Sequence, residues 1–294
     1  MSAEHEKGSD KPLAPGLYLV ATPIGNLEDI TLRALRVLRR VDRIACEDTR
    51  QTQKLLNHFE IHTPTVSYHM HNEVARTDEL TAELKLGARI AVVSDAGTPG
   101  IADPGGQIAA AAIAAGIDVF PIPGASAAVS ALVASGLPTE QFTFHGFLPA
   151  KAGQRKTALE ELVRGGVTHV FYETPHRILD TLADVDSVFG ASQHVVVARE
   201  LTKLHEEFLR GSAAELRSQL AARPSVRGEI VLMLAPSPDQ SPSEKRASLG
   251  VEVASLMKSE GISEMDALKR IARERGMGKS EAYRELQREQ NRLR

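Results

Sequence analysis

Along the first half of the chain the apolar positions switch between two periods. LYLVAT (17–22) is a short β-prone apolar run, ITLRALRVLRRV (30–41) spaces its apolar residues for a helix with arginines on one face, and RIACED (43–48) returns to strand. The alternation then repeats. TRQTQKLLNHF (49–59) reads as helix, TVSYHM (65–70) as strand and EVARTDELTAELKLG (73–87) as a helix ending at Gly87. RIAVVSD (89–95) and DVFPIP (118–123) are strands that alternate with helices at GGQIAAAAIAAG (105–116) and ASAAVSALVASG (125–136). Strands separated by helices of this length predict βαβ units and a largely parallel sheet covered on both faces.

After GLPTEQ the rhythm changes, which puts a boundary near Leu137 to Gln141. Strands are predicted at FTFHGFL (142–148), THVFYET (168–174), HVVVARELT (194–202), EEFLRG (206–211) and GEIVLMLA (228–235). Helices are predicted at GQRKTALEELVRG, PHRILDTLADV and SAAELRSQLAAR. Two neighbouring strands with no helix between them imply a mixed sheet. PSPDQSPSEKR (236–246) has linker composition, and three short glycine-punctuated helices follow it. The expected organisation is a disordered tail over 1–15, an N-terminal α/β domain over 16–138 and a C-terminal α/β domain over 139–236. A linker over 237–247 and a helical module over 248–294 complete it.

Composition narrows the class. A chain of 294 residues, 42% hydrophobic and 25% charged, matches an ordinary soluble protein of more than one domain. Its single cysteine, Cys46, excludes an intramolecular disulfide and a thiolate-rich metal site, and suits a reducing cytoplasm. The stretch MSAEHEKGSDKPLAPG lacks the apolar core of a signal peptide, and the alanine-rich stretches are too short and interrupted to span a bilayer. A formal net charge of −3 argues against nonspecific nucleic-acid binding. Charge is uneven, however: residues 244–294 carry twelve Lys/Arg against nine Asp/Glu, so a mildly basic tail follows an acidic body.

Chemistry enters at the strand ends. VVSDAGTPGIADPGG (92–106) spends four glycines, two prolines and two aspartates on one strand-to-helix connection. It lies at the carboxyl edge expected of the first sheet, where open α/β proteins bind ligands. Asp95 can accept hydrogen bonds there, and Gly97 and Gly100 leave the backbone approachable. PIPGASAAVSA (121–131) repeats the character, with Ser126 placed to cap a helix, and VATPIGNLEDIT (20–31) is a third glycine turn. Together they describe a cleft for a polar, elongated small molecule. Neither a G-x-G-x-x-G nor a G-x-x-x-x-G-K-[ST] fingerprint occurs, and Ala128 stands where a nucleophile elbow needs glycine, so hydride transfer, nucleotide hydrolysis and serine hydrolysis lose their usual support. CEDTR (46–50), YHMHNE (68–73), YETPHR (172–177) and RELTKLHEE (199–207) add polar clusters that are either functional or solvated strand ends. No spacing around His69 and His71 completes a metal ligand set, so no metal is expected.

Seven motifs in order, LYLVATPIGNLEDIT, CEDTR, SDAGTPGIADPG, PGASA, GFLP, YETPHR and RELTK, make residues 16–236 resemble the tetrapyrrole methylase superfamily. Within it the resemblance is to the branch that methylates the 2′-oxygen of a cytidine in 16S ribosomal RNA. It implies a class III methyltransferase: two α/β domains with the cofactor cleft between them, a small C-terminal helical module, S-adenosylmethionine as cofactor, and a homodimer acting on 16S rRNA or the small ribosomal subunit. It also implies cofactor contacts from Ile24, Asp95, Gly97, Thr98, Ser126, Ala127, Thr174 and Pro175. A ribose hydroxyl needs a base to become a nucleophile. Glu47, His71, Glu173 and Lys203 are the candidates, because their strand ends should face the cleft. Arg50, Arg177 and Arg199 are candidates for RNA phosphates and Asn72 for a base edge or sugar, with ion pairing to Glu47, Glu173 or Glu200 as the alternative for the arginines. Tryptophan is absent and aromatics are 4%, which leaves Tyr68, Phe147 and Tyr172 as stacking platforms for a base. Two rival readings remain: methylation of a tetrapyrrole or a modified protein side chain, and a non-enzymatic RNA-binding module. The C-terminal helices suit either a packing appendage or a basic clamp on RNA.

Overall fold

A computed structural model describes residues 12–163, 166–236 and 249–274, together with 282, 283 and 286. The expected tail up to residue 11 and the linker at 237–247 lie outside the described residues, as does most of the third tail helix. Residues up to Ser237 form one compact unit and those from Pro238 onward a second.

The first sheet consists of β1 (Gly16–Val20), β2 (Arg43–Cys46), β3 (Thr65–Ser67), β4 (Arg89–Val93) and β5 (Val119–Ile122), in the order β3-β2-β4-β1-β5. Every pairing is parallel. Successive side chains point to opposite faces, and both faces are apolar. Tyr18, Val20, Ile44, Ala91 and Val93 pack with α1 (Leu32–Arg40) and α2 (Thr49–His58), while Leu17, Ala45, Ile90 and Val92 pack with α3 (Glu73–Lys85) and α4 (Gly106–Ala114). Caps fix the helix starts: the Thr31 hydroxyl accepts from the Ala34 amide (3.1 Å) and the Asp48 carboxylate from the Arg50 amide (2.8 Å). After β1 the chain crosses to one side over one face of the sheet, and after β4 it crosses to the other side over the opposite face. The connections therefore diverge beyond the carboxyl ends of β1 and β4, which opens a crevice there.

The second sheet has the order β6-β7-β10-β8-β9, from β6 (Phe142–Phe147), β7 (Thr168–Glu173), β8 (His194–Arg199), β9 (Glu207–Ser212) and β10 (Ile230–Leu234). Only β6 and β7 run parallel; β8 and β9 form the expected antiparallel pair, so the sheet is mixed. One face carries α6 (Ala152–Glu160), α7 (Ile178–Phe189) and α8 (Ala213–Ala221) over Phe171, Val195, Val197 and Leu232. The other face, with Val170, Val196, Val231 and Met233, is covered by Ala128, Ala131 and Leu132 of α5 (Ala127–Ser135) and by Ile24. A helix that follows the first sheet thus completes the core of the second. This shared core joins the two sheets into one body.

The strand expected over 65–70 ends at Ser67 instead. Asn72 is the reason: its side-chain oxygen accepts from the His69 amide (2.8 Å) and its amide group donates to the Ser67 carbonyl (3.3 Å), closing a turn. In the C-terminal unit, α9 (Leu249–Glu260) and α10 (Glu264–Glu274) pack through Val253, Leu268, Ile271 and Ala272.

Candidate active site

The three glycine turns meet. Thr22, two residues past β1, forms a two-bond bridge with Gly97, four residues past β4 (Thr22 N–H to Gly97 O 2.8 Å, Gly97 N–H to Thr22 O 3.1 Å). The Thr22 hydroxyl donates to Ser94 O (3.2 Å) and the Thr98 hydroxyl to Ala125 O (3.2 Å), which ties in the third turn. Gly97 sits at φ +84°, and a Cβ there would approach Ile24 to 3.4 Å. Its position needs a left-handed backbone in a tight space, and glycine meets both demands.

These turns form one wall of a cavity of about 370 Å³ whose opposite wall comes from the second sheet. All eight residues expected to contact a cofactor line it: Ile24, Asp95, Gly97, Thr98, Ser126, Ala127, Thr174 and Pro175. Ser126 occupies the cap position of α5, yet its side chain makes no capping hydrogen bond, contrary to the reading of that serine as a cap. Residues that the motifs did not single out complete the lining, notably Asp103, Leu201, Glu229 and Ile230. Asp103 had a visible signal, since it is the second aspartate of the same glycine-rich connection. Leu201 and Ile230 had none, because an apolar residue at a strand end looks the same whether it faces core or ligand.

Of the four base candidates, only Glu47 and Glu173 line the cavity. Burial raises the pKa of the Glu47 carboxyl, Asp95 adds to the shift and His69 opposes it. Glu173 is fully buried, and its two oxygens accept from the Thr174 amide (2.7 Å), the Thr181 hydroxyl (2.7 Å) and the Arg177 guanidinium (2.8 Å). A carboxylate so engaged has its oxygens committed to the fold and holds its loop in place. Lys203 is ion-paired with Glu200 (2.8 Å) and Glu229 (2.9 Å). Burial disfavours its ammonium, but those two carboxylates outweigh the effect and its pKa is raised, so it stays charged and cannot serve as a base. His71 is exposed and does not line the cavity.

The RNA candidates are similarly divided. Arg177 bonds Glu173 and the Leu148 carbonyl, as the ion-pairing alternative had it, whereas Arg199 is also ion-paired but with Glu207 (3.1 Å), a partner outside the expected three, and bonds the Arg227 carbonyl (3.0 Å). Asn72 is engaged in its turn. Arg50 pairs with Asp48, but its side chain is 87% exposed and faces an open groove along α2 with Lys54 and Asn57. Tyr68 is not a platform: it is 1% exposed, its hydroxyl bonds Glu73 and Thr77, and burial pushes its pKa up to about 12. Phe147 and Tyr172 do line the cavity.

The cavity's charge is one-sided. Among the described residues that line it there is no Lys, Arg or His, but there are five carboxylates. Glu173 and Glu229 are neutralised from behind by Arg177 and Lys203. Glu47, Asp95 and Asp103 appear in no ion pair among the described residues. Burial, followed by the charges of Glu47 and Asp95, pushes the Asp103 carboxyl up to about 6. Such a wall is suited to a cation.

The sheet order, the crevice and its turns match a known family. Residues 16–217 fit the model of the Tetrapyrrole (Corrin/Porphyrin) Methylases. The chain belongs to the tetrapyrrole methylase family. Among relatives of this tetrapyrrole methylase, "Ribosomal RNA small subunit methyltransferase I" of Halalkalibacterium halodurans is 48% identical over 270 residues, covering 91% of this chain and 93% of that protein. The protein of the same name from Synechocystis is 47% identical, covering 91% and 95%. Among solved structures, diphthine synthase superposes with a TM-score of 0.58 at 14% identity over 74% of this chain and 89% of its own. The cobalamin biosynthetic enzyme cobalt precorrin-4 methyltransferase gives 0.54 at 14% identity, over 74% and 94%. These two likenesses establish the tetrapyrrole methylase fold and nothing finer.

Proposed function

We propose that this protein is an S-adenosylmethionine-dependent methyltransferase that modifies the ribose 2′-oxygen of a cytidine in 16S ribosomal RNA. The observation that carries the reading is the 48% identity, over 91% of this chain, to a relative named for small-subunit ribosomal RNA methylation. The methyl donor is supported by the cleft itself. When bound, S-adenosylmethionine supplies a methyl group on a positively charged sulfur. Glu47, Asp95 and Asp103 fit a cation, the apolar Ile24, Leu201, Ile230 and Val231 fit an adenine, and the polar groups at Thr98 and Ser126 fit a ribose or an amino-acid end.

The chain's own contribution is alignment and proton removal. Orienting acceptor and donor is worth up to roughly 7–11 kcal/mol of barrier. Burial and the neighbouring Glu47 and Asp95 charges push the Asp103 carboxyl up to about 6, and burial raises the Glu47 carboxyl as well. A carboxyl tuned toward the working pH is a more effective base. In this reading the Glu47–Asp103 pair takes the hydroxyl proton, and Glu173 and Lys203 hold the opposite wall. Arg50 and its groove meet the phosphates.

The homodimer implied by the family resemblance fits α5, which turns Val129 and Val133, one helical turn apart, toward solvent. No helix of the described residues is long and apolar enough to cross a membrane, in keeping with a cytoplasmic site of action. The purified protein, incubated with methyl-labelled S-adenosylmethionine and separately with free 16S rRNA, small subunits and a porphyrinoid, should label RNA at a nuclease-resistant 2′-O-methylcytidine. Label confined to the porphyrinoid, or to a base carbon of the RNA, would overturn it.

A further inference from the structure

Phe147 is 53% exposed, in a chain that has only eight phenylalanines and no tryptophan. Its exposure has a built cause. Strands β6 and β7 pair in register from Phe142 with Thr168 to Phe144 with Val170, and then the register shifts so that Phe147 faces Tyr172. Three steps along β6 oppose two along β7, which is a bulge, and Gly146 takes up the turn at φ +66°. On a regular strand, residues three apart point to opposite faces. Here the bulge reverses that parity, and both Phe144 and Phe147 pack against Tyr172, with ring centroids 4.9 and 5.6 Å from it and both edge-on. Without the bulge, Phe147 would turn away from the cleft. With it, the ring stands at the cleft wall, half in solvent. The backbone behind it is pinned, because Leu148 is buried and its carbonyl accepts from Arg177 (3.3 Å).

We propose that Phe147, aimed by this bulge and braced edge-on by Tyr172, is the platform on which the acceptor nucleotide's base stacks while its ribose reaches the Glu47–Asp103 pair. The inference rests on the RNA reading above. A nucleotide whose ribose enters a cleft must leave its own stack, and an aromatic face at the mouth replaces the lost stacking partner. A rigid ring suits this role because little side-chain entropy is lost on binding.

The test uses the full-length protein, small ribosomal subunits as RNA probe and S-adenosylmethionine as small-molecule probe. Phe147→Ala should raise KM for the subunits by roughly 5- to 150-fold, the range supplied by one base–aromatic stack. The dissociation constant for S-adenosylmethionine, measured by calorimetry, should stay within about twofold. Phe147→Tyr should restore KM, and Phe147→Leu, equally apolar but not aromatic, should not. A Leu variant equal to the native protein would overturn the proposal. So would an Ala variant that loses S-adenosylmethionine binding while keeping its RNA KM, since the ring would then serve the donor's adenine. Native protein that binds S-adenosylmethionine but methylates no RNA would refute the RNA reading itself, and the platform with it.

Discussion

The two walls of the cleft handle negative charge in opposite ways. On the second-sheet wall both acidic side chains have a cation: Glu173 has Arg177, and Glu229 has Lys203, which also pairs with Glu200; outside the cavity lining, Glu207 bonds both Arg223 and Arg199. On the first-sheet wall Glu47, Asp95 and Asp103 face one another without one, among the described residues. The pKa directions record the difference. Hydrogen bonds from Arg223 and Arg199 bring the Glu207 carboxyl down to about 2, while burial and two neighbouring anions push Asp103 up to about 6. One wall has its carboxylates paired with neighbouring cations, and the other holds three carboxylates with no cation paired to them among the described residues.

Substitutions that exchange these characters should separate them. The largest effect is expected at Glu47→Gln, which keeps the shape and removes the base: single-turnover methylation at saturating donor should fall by about 10²–10⁴-fold with the unfolding midpoint little changed. A fall below about threefold would return the proton to solvent. On the opposite wall, Glu173→Ala strands the Arg177 guanidinium and unbonds Thr181. Denaturant unfolding should show a loss of about 3–5 kcal/mol, the range for breaking a buried pair.

The pH response should differ in sign as well. A carboxyl with a raised folded pKa binds more protons in the native than in the unfolded state, so Asp103 lowers stability as pH climbs from about 4 to about 6. Asp103→Asn should therefore stabilise the unliganded protein at pH 7, by something on the order of 1–2 kcal/mol. It should also weaken S-adenosylmethionine more than its neutral thioether product, and flatten the gain in donor affinity through pH 6. Glu207 acts the other way: its depressed pKa contributes stability above about 4.5 that is lost as pH falls toward about 2. An Asn variant that weakens both ligands equally would mean Asp103 only shapes its loop.

A last substitution tests the seam between the walls. The Asn26 amide donates to the Thr202 hydroxyl (3.1 Å), and a Cβ on Gly25 would fall within 3 Å of that hydroxyl and of the Leu201 carbonyl. Thr202 itself is held at φ +63°, an uncommon conformation for a β-branched residue. Gly25→Ala should cost about 1–3 kcal/mol by overpacking, read as a lower melting temperature, with donor affinity reduced in step. Unchanged melting would show that the two loops separate easily.

Much of this molecule was legible in its residue pattern. Two periods of hydrophobicity in alternation dictate parallel strands buried on both faces, and the missing helix between Arg199 and Glu207 dictates the antiparallel pair. The glycines of three turns marked the cleft because close backbone approach leaves few alternatives to glycine, and the eight expected cofactor contacts do meet at one cavity. What the pattern could not assign was the partner of each charged side chain. Glu47 and Glu173 both stand at strand ends inside polar motifs, yet only folding supplies Thr181 and Arg177 to one of them, and Thr181 lies on a helix whose position depends on packing. The same holds for Phe147: alternation is a local property, but a bulge is a disagreement between two strands and exists only when they pair. Hydrophobic periodicity is written residue by residue, so the chain determines its elements and their order by itself. Charge compensation and side-chain aim depend on distances between segments remote in sequence, so those were decided by the tertiary structure.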